Sequence, residues 1–236
     1  MHTALSANQQ HLSVDGLILT VRQGQLTALL SRRTSPPFEG QWALPGRLVA
    51  LDESADEAAS RLLTEMLPGV PAYREQLYTF THPGRDPRGR VVTIAYLILL
   101  PWEALEETLT RPDVTLRAFS ISTAADGFAL VPADGPRLLP ADLAFDHGLI
   151  LQTGVTRLQG KIDYTDVGFH LLRDMQAFSL SELQTVFEAV LNQPLDASNF
   201  RRGILAKYEA TGRIAQTSSI KKQGRGRPAA LYRFNA

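Results

Sequence analysis

The sequence predicts an α+β protein in two parts: a front sheet carrying helices, then a smaller unit of helices and a hairpin. Three observations carry this expectation. Apolar runs of strand length recur through the first half, separated by Gly- and Pro-containing breaks. Two Ser-x-x-Glu signatures, Ser54/Glu57 and Ser179/Glu182, each open an amphipathic helix. The charge also divides. Residues 1–150 hold 12 Lys/Arg against 17 Asp/Glu, a net of −5, whereas residues 151–236 hold 12 against 7, a net of +5. The expected division is residues 1–153 as one domain and residues 154–236 as a linker helix with a second domain.

In the front part, LSVDGLILTVRQGQLTALLSRR reads as strand, turn and strand, with Val14, Leu17, Leu19 and Val21 as strand formers and RQGQ as the turn. TSPPFEGQWALPG is a loop. A helix follows, capped by Ser54 and Glu57, with Ala58, Ala59, Leu62, Leu63 and Met66 on its apolar face and Pro68-Gly69 as its stop. QLYTFTHP is strand-like, HPGRDPRGR is a charged loop, and VVTIAYLILL is a buried strand. VTLRAFSI and GFALV are further strands, and residues 139–162 read as a closing helix.

The last third changes texture. LLRDM (171–175) belongs to a short helix, and Ser179 and Glu182 open SLSELQTVFEAVL with Leu183, Val186, Phe187 and Val190 as the buried stripe. NQPL is a turn. Asp196 caps ASNFRRGILAKYEA, where Phe200, Ile204 and Tyr208 lie four apart on one face. IAQT, a basic SSIKKQGRGRPA and LYRF form a hairpin whose strand residues Tyr232 and Phe234 cover the core. Helix, helix, turn, helix, hairpin is the order of a winged helix-turn-helix.

Composition excludes several classes. With no cysteine there is no disulfide, thiolate chemistry or cysteine-bound zinc. MHTALSANQQHL lacks the pattern of a signal peptide, and VVTIAYLILLPW is broken by Pro101 and too short to span a bilayer. The expectation is a soluble cytoplasmic protein with no membrane partner. The basic last third suits a polyanion such as DNA, although a solvated basic surface would have the same composition.

The stretch GRLVALDESADEAASRLLTEMLPG is laid out like a helix that holds metal for phosphate chemistry, where several carboxylates share a face at spacings of three or four. Asp52, Glu53, Asp56, Glu57 and Glu65 are present, but Glu65 stands alone after Arg61. The acidic residues around position 55 equally suit the positive end of a helix. Residues 40–69 resemble the Nudix box, which runs Gly, five residues, Glu, seven residues, then Arg-Glu-x-x-Glu-Glu-x-Gly. Glu53, Arg61 and Glu65 fall on box positions. Arg47 replaces the opening glycine, Leu62 the acidic residue after the arginine, Met66 the second glutamate of the late pair, and Pro68 the closing glycine. A thioether does not hold a hard cation as a carboxylate does. The resemblance therefore implies a kept scaffold with a dismantled metal site, in which Arg61 and Glu65 brace the loop–helix unit.

WALPG, QLYTF, GRDPRGRVVTIAY and FDHGLIL resemble the Nudix branch that handles ADP-ribose and related nucleotides. Arginines 85, 88 and 90 suit phosphates in bidentate geometry, and Asp86 suits fixing one of them or taking a ribose hydroxyl. A solvated loop remains the alternative. Phe38, Trp42 or Tyr78 could stack on a base or pack in the core, and His82 and His147 read as structural. The pocket candidates are Arg47, Arg61, Glu65, Arg85, Asp86 and Arg88, with no residue assigned to catalysis or metal and no cofactor expected.

For duplex recognition, Ser198, Asn199, Arg201 and Arg202 stand at the start of the third helix of the winged unit, and Lys221, Lys222, Arg225 and Arg227 stand in the hairpin tip among glycines. FSLSELQTVFEAVLNQPLDASNFRRGILAKYEATGRI with GRGRPAALYRF resembles the C-terminal domain of Nudix-related transcriptional regulators of NAD metabolism, and with the front part the likeness runs from residue 12 to 234. It implies a Nudix-like α/β/α sandwich joined to a winged helix-turn-helix. It also implies a bacterial homodimer on palindromic operator DNA, repressing NAD synthesis or salvage genes and released by ADP-ribose or a related nucleotide. Control of arabinose use by the same architecture and a divergent ADP-ribose or nucleotide pyrophosphatase stay open as alternatives.

Overall fold

The computed structural model describes residues 9–112, 114–124, 127–221 and 229–235. The first two strands, β1 (His11–Arg22) and β2 (Gln25–Arg32), form a hairpin whose turn residues Gln23 and Gly24 both adopt positive φ. Two short strands follow, β3 (Trp42–Ala43) and β4 (Gly46–Leu48), and then α1 (Ala55–Met66). Next come β5 (Tyr73–Phe80), β6 (Val91–Leu99), the short α2 (Glu106–Leu109), β7 (Leu116–Ala124) and β8 (Gly127–Pro132). They form a mixed sheet in the order β5-β6-β1-β2-β7-β8, with β3 on β2 and β4 on β1. β1 and β6 pair in parallel from His11 with Val91 to Leu19 with Leu99.

Alternation along β1 builds the layers. Val14 and Ile18 face α1 in one apolar cluster with Ala58, Ala59 and Leu62. Leu17 and Leu19 face the other side, where they meet α3 (His147–Lys161) through Ile150, Leu151, Val155 and Leu158. The expected sandwich is thus present. The expected capping box is also formed at α1: the Ser54 hydroxyl accepts from Glu57 N, and Glu57 Oε2 accepts from Ser54 N at 2.7 Å.

The closing helix starts later than its sequence suggests. Residues 140–142 make a separate 3-10 turn, Phe145 takes φ 57°, and α3 begins only at His147. The close approach of the turn to the helix explains Gly148, where a Cβ would lie 2.1 Å from the Pro140 carbonyl oxygen. α3 runs without a break across residues 153 and 154.

A 3-10 turn over Val167–Leu171 leads to α4 (Leu180–Leu191), α5 (Ala197–Ile204), a π-helical turn over Leu205–Glu209, and the strands β9 (Ile214–Lys221) and β10 (Ala229–Phe234). The second capping box forms as expected, and Asn192 closes α4 in the left-handed conformation. LLRDM is not helical beyond Leu171. The chain there extends to pair with β10, through Phe178 with Tyr232 and Phe234 N donating to Met175 O at 2.7 Å.

One apolar core runs from Leu17 and Leu97 in the sheet through Ile162 and Phe169 to Leu183, Phe187, Tyr232 and Phe234. α3 is the hinge post of this core. Gly154 lets it sit directly on the sheet, because a Cβ there would lie 2.1 Å from Leu17 Cδ2 and 3.2 Å from Leu77 Cδ2. Gly154→Ala is expected to destabilise the fold by about 1–3 kcal/mol through overpacking, despite alanine's better helix propensity. Urea unfolding should show a lower midpoint; a rise would contradict this packing.

Candidate functional site

The fold brings a positive cavity of about 170 Å³ to the end of the sheet where β1, β4, the 81–90 loop and the entrance of α3 meet. Arg33, Arg47, Arg85, Arg88, Phe145 and His147 line it. Asp15 of β1 and Asp86 also line it. The close pass of Pro45-Gly46 over β1 explains Gly46, since a Cβ there would lie 2.1 Å from Asp15 Oδ1.

Arg85 is the buried centre of this end. Its Nη2 donates to Asp15 Oδ2 at 3.1 Å and to Asp146 Oδ1 at 2.7 Å, and its Nε donates to Asp146 Oδ2 at 2.9 Å. Burial opposes its charge, but Asp146 and Asp15 more than offset this and push its pKa up. The expectation that Arg85 meets a phosphate is therefore corrected: its guanidinium is committed to two carboxylates, and it positions the cavity wall. Asp86 does fix a neighbouring arginine. Its two oxygens take Nε and Nη2 of Arg88 at 3.0 and 2.7 Å. Burial alone would raise the Asp86 pKa, yet the hydrogen bonds and charge of Arg88 hold it below the ordinary value.

Arg33 and Phe145 were not singled out in the sequence. The Phe145 ring lies 4.7 Å from the Arg33 guanidinium carbon and 5.4 Å from that of Arg88, and Phe38 meets it edge-on. Burial and the neighbouring charge of Arg88 push the Arg33 pKa down. Two cations held side by side in this way favour an anion between them. The FDHG string was legible as a motif; Arg33, just past the end of β2 among turn residues, carried no local signal. Trp42 packs on Phe119 rather than waiting for a base, whereas Tyr78 is exposed. Arg90 donates to the Thr81 carbonyl.

The box helix does not fit a divalent cation. Glu53 accepts from Ala50 N at 2.8 Å and holds Arg61 through both oxygens. Glu57 is used in the cap. Glu65 faces Arg47 at 2.7 Å and Arg61 at 3.9 Å, and its neighbour is Met66. Among the described residues no group of three His, Asp or Glu is placed to hold a metal. Arg61 and Glu65 do not line the cavity; they brace the loop against α1, and Glu65 touches it only through Arg47.

In the winged unit, Ser198, Asn199, Arg201 and Arg202 are all exposed at the front of α5. Asp196 caps the helix by accepting from Asn199 N, and Arg202 donates to Asn199 Oδ1 at 2.7 Å. Ile204 and Tyr208 hold the opposite face in the core. Lys221 ends β9, while Lys222, Arg225 and Arg227 lie outside the described residues. Among the described residues no helix is long and apolar enough to cross a membrane.

His147 is buried at the start of α3. Its Nδ1 accepts from Leu44 N at 2.8 Å, which leaves the proton on Nε2, 3.6 Å from Asp15 Oδ1. Burial pushes its pKa below the ordinary 6.5. The unfolded chain therefore takes up this proton first, and the stability held above pH 6.5 is lost as pH falls from there through the folded-state value. His147→Gln, which keeps an acceptor for Leu44, should flatten the decline of the melting temperature below that pH. Some slope remains with His170, whose pKa burial also lowers. An unaltered decline would show that His147 is not the group titrating.

Comparison with known proteins follows the same division. The NUDIX domain profile matches residues 9–134, and the NrtR DNA-binding winged helix domain profile matches residues 168–234. The chain is 34% identical over 229 residues to the ADPR responsive transcriptional repressor NtrR of Acinetobacter baylyi, covering 94% of this chain and 81% of that one. It superposes on the crystal structure of Shewanella oneidensis NrtR complexed with a 27mer DNA with a TM-score of 0.73 and 31% identity, covering 95% of this chain and 93% of that one. An ADP-ribose pyrophosphatase of Methanocaldococcus jannaschii is 34% identical over 87 residues, covering 37% of this chain and 49% of that protein.

Proposed function

The chain belongs to the Nudix-related regulators that carry an NrtR winged-helix domain, and on that premise we propose that it is a cytoplasmic, dimeric transcriptional repressor whose operator DNA is released by ADP-ribose or a related nucleotide. The regulated genes in this reading are those of NAD synthesis or salvage. The observation that carries it is the union of a cation-lined cavity and a helix front with Asn199, Arg201 and Arg202 exposed, on one continuous apolar core.

The division of labour follows from the side chains. Arg33, Arg47 and Arg88 suit a diphosphate, and Phe145 offers an aromatic face. A cavity of about 170 Å³ takes the diphosphate but not a whole dinucleotide-sized ligand, so the sugar and base extend over its rim. Asn199, Arg201 and Arg202 face solvent with the donors and acceptors that base edges and phosphates require. In a dimer, two such helices would enter major grooves about 34–36 Å apart or a multiple of it. Lys221, Lys222, Arg225 and Arg227 would add phosphate or minor-groove contacts.

The reading requires no catalysis and no cofactor: Glu53, Glu57 and Glu65 are engaged within the protein, so efficient metal-dependent cleavage is not expected. The partial likeness to a pyrophosphatase supports the rival, and product analysis with magnesium separates the two.

The deciding experiment is a titration of the purified protein on its own upstream DNA, with and without ADP-ribose, NAD or L-arabinose. Tight binding that ADP-ribose weakens is expected; release by arabinose alone would move the protein to sugar control. Arg201→Ala should weaken operator binding by about 1–3 kcal/mol. Operator affinity that survives both Arg201→Ala and Arg202→Ala at moderate salt would refute these contacts.

A further inference from the structure

Arg47 stands where the Nudix box has its opening glycine, and Met66 stands where it has its last glutamate. The two replacements converge on Glu65. Arg47 lies on β4 opposite Val14 of β1, and its Nη1 reaches 2.7 Å from Glu65 Oε1 on α1. Nε and Nη1 of Arg47 are buried, and among the described residues neither has an aligned hydrogen-bond acceptor. The same side chain lines the positive cavity. It therefore spans from the helix that holds metal in a complete box to the space where phosphate would lie.

Charge balance points the same way. A divalent cation between two carboxylates sums to zero. Glu65 with one guanidinium also sums to zero once position 66 carries no charge. A glycine at 47 beside Met66 would leave Glu65 with only the distant Arg61, 3.9 Å away and partly exposed. We propose that Arg47 is a built-in replacement for the divalent cation, so that this pocket binds the diphosphate of its effector without metal. The inference rests on the nucleotide reading above. A planar guanidinium offers several N–H donors to phosphate oxygens, which gives affinity and orientation. It carries no water to activate, so it supports binding without the metal's chemistry.

Calorimetric titration of ADP-ribose into the full chain tests this, first in excess EDTA and then in millimolar magnesium. The wild-type dissociation constant should agree between the two buffers within about twofold. Arg47→Met, which keeps the stem, should weaken binding in EDTA by roughly ten- to a hundredfold, as expected for lost charge-assisted hydrogen bonds. Arg47→Lys, with a charge but no fork, should fall between. Thermal melts establish that each variant is folded. The double variant Arg47→Gly with Met66→Glu should bind manganese alone and take ADP-ribose only when metal is present. Wild-type binding that disappears in EDTA and returns with magnesium would overturn the inference while leaving the repressor reading intact. A folded Arg47→Met protein with wild-type affinity would also overturn it. ADP-ribose that binds in neither buffer would remove the nucleotide reading and this inference with it.

Discussion

The Arg85 guanidinium lies almost fully buried between Asp15 and Asp146, and its charge is neutralised only when three distant segments meet. Asp15 comes from the first strand, Arg85 from the 81–90 loop, and Asp146 from the entrance of α3, with separations of 70 and 61 residues along the chain. An unpaired charge left in such a place costs about 3–5 kcal/mol, so the pairing enforces the geometry around it. His147 adds a fourth segment by accepting from Leu44 N, and Gly46 lies against the same Asp15 carboxylate. The cavity is the hollow that these contacts leave. Of its remaining cations, Arg88 is braced by Asp86, Arg47 meets Glu65, and Arg33 donates to the Pro37 and Ser35 carbonyls, with Arg33 and Arg88 both near the Phe145 ring.

The same network sets how the front part addresses the winged unit. Asp146 stands at the start of α3, a helix of 15 residues and about 22 Å. Near its far end, Gln159 donates to the Val190 carbonyl at the end of α4, and Lys161 meets Glu75 of β5 at 2.6 Å. Tyr208, below α5, donates to the Thr165 carbonyl just beyond α3, and Arg213 at the start of the wing pairs with Asp166. Close-packed elements of this kind move as bodies. A small displacement of the helix entrance would reach α4 and the base of the wing as a tilt. A ligand produces such a shift only if it binds one arrangement better than the other.

Much of this architecture was legible because it is written locally. Ser54/Glu57 and Ser179/Glu182 sit three residues apart, the β1 pattern alternates, and Phe200, Ile204 and Tyr208 recur at helical spacing; each needs only neighbouring residues to act. The box residues were legible in the same way, including the losses at 62 and 66. What escaped depends on contacts across the chain. HPGRDPRGR is rich in charge and turn formers and so reads as a solvated loop or a phosphate clamp, yet Arg85 is drawn inside by acids far away in sequence. The late start of α3 is set by Pro140 packing on Gly148 and by the left-handed Phe145, neither of which interrupts the apolar pattern. LLRDM has helical composition, but edge pairing with β10 overrides it.

The retained and the lost parts of the box divide along a physical line. Glu53 and Arg61 are kept because they tie the loop to α1: Glu53 accepts from Ala50 N and grips Arg61, and Tyr96 donates to Asp56 at 2.8 Å on the same helix. Ala58, Ala59 and Leu62 of that helix fill one face of the sheet, so unravelling it would expose the core of the whole front part. Nothing in that packing needs a carboxylate at 66. The helix can therefore surrender its metal chemistry while its apolar face and its anchoring pair stay fixed, provided that the charge on Glu65 finds another partner. Arg47 supplies that partner from the adjacent strand. Fold maintenance and phosphate chemistry thus occupy different faces of one helix, and that separation lets a sensor be built on the frame of a hydrolase.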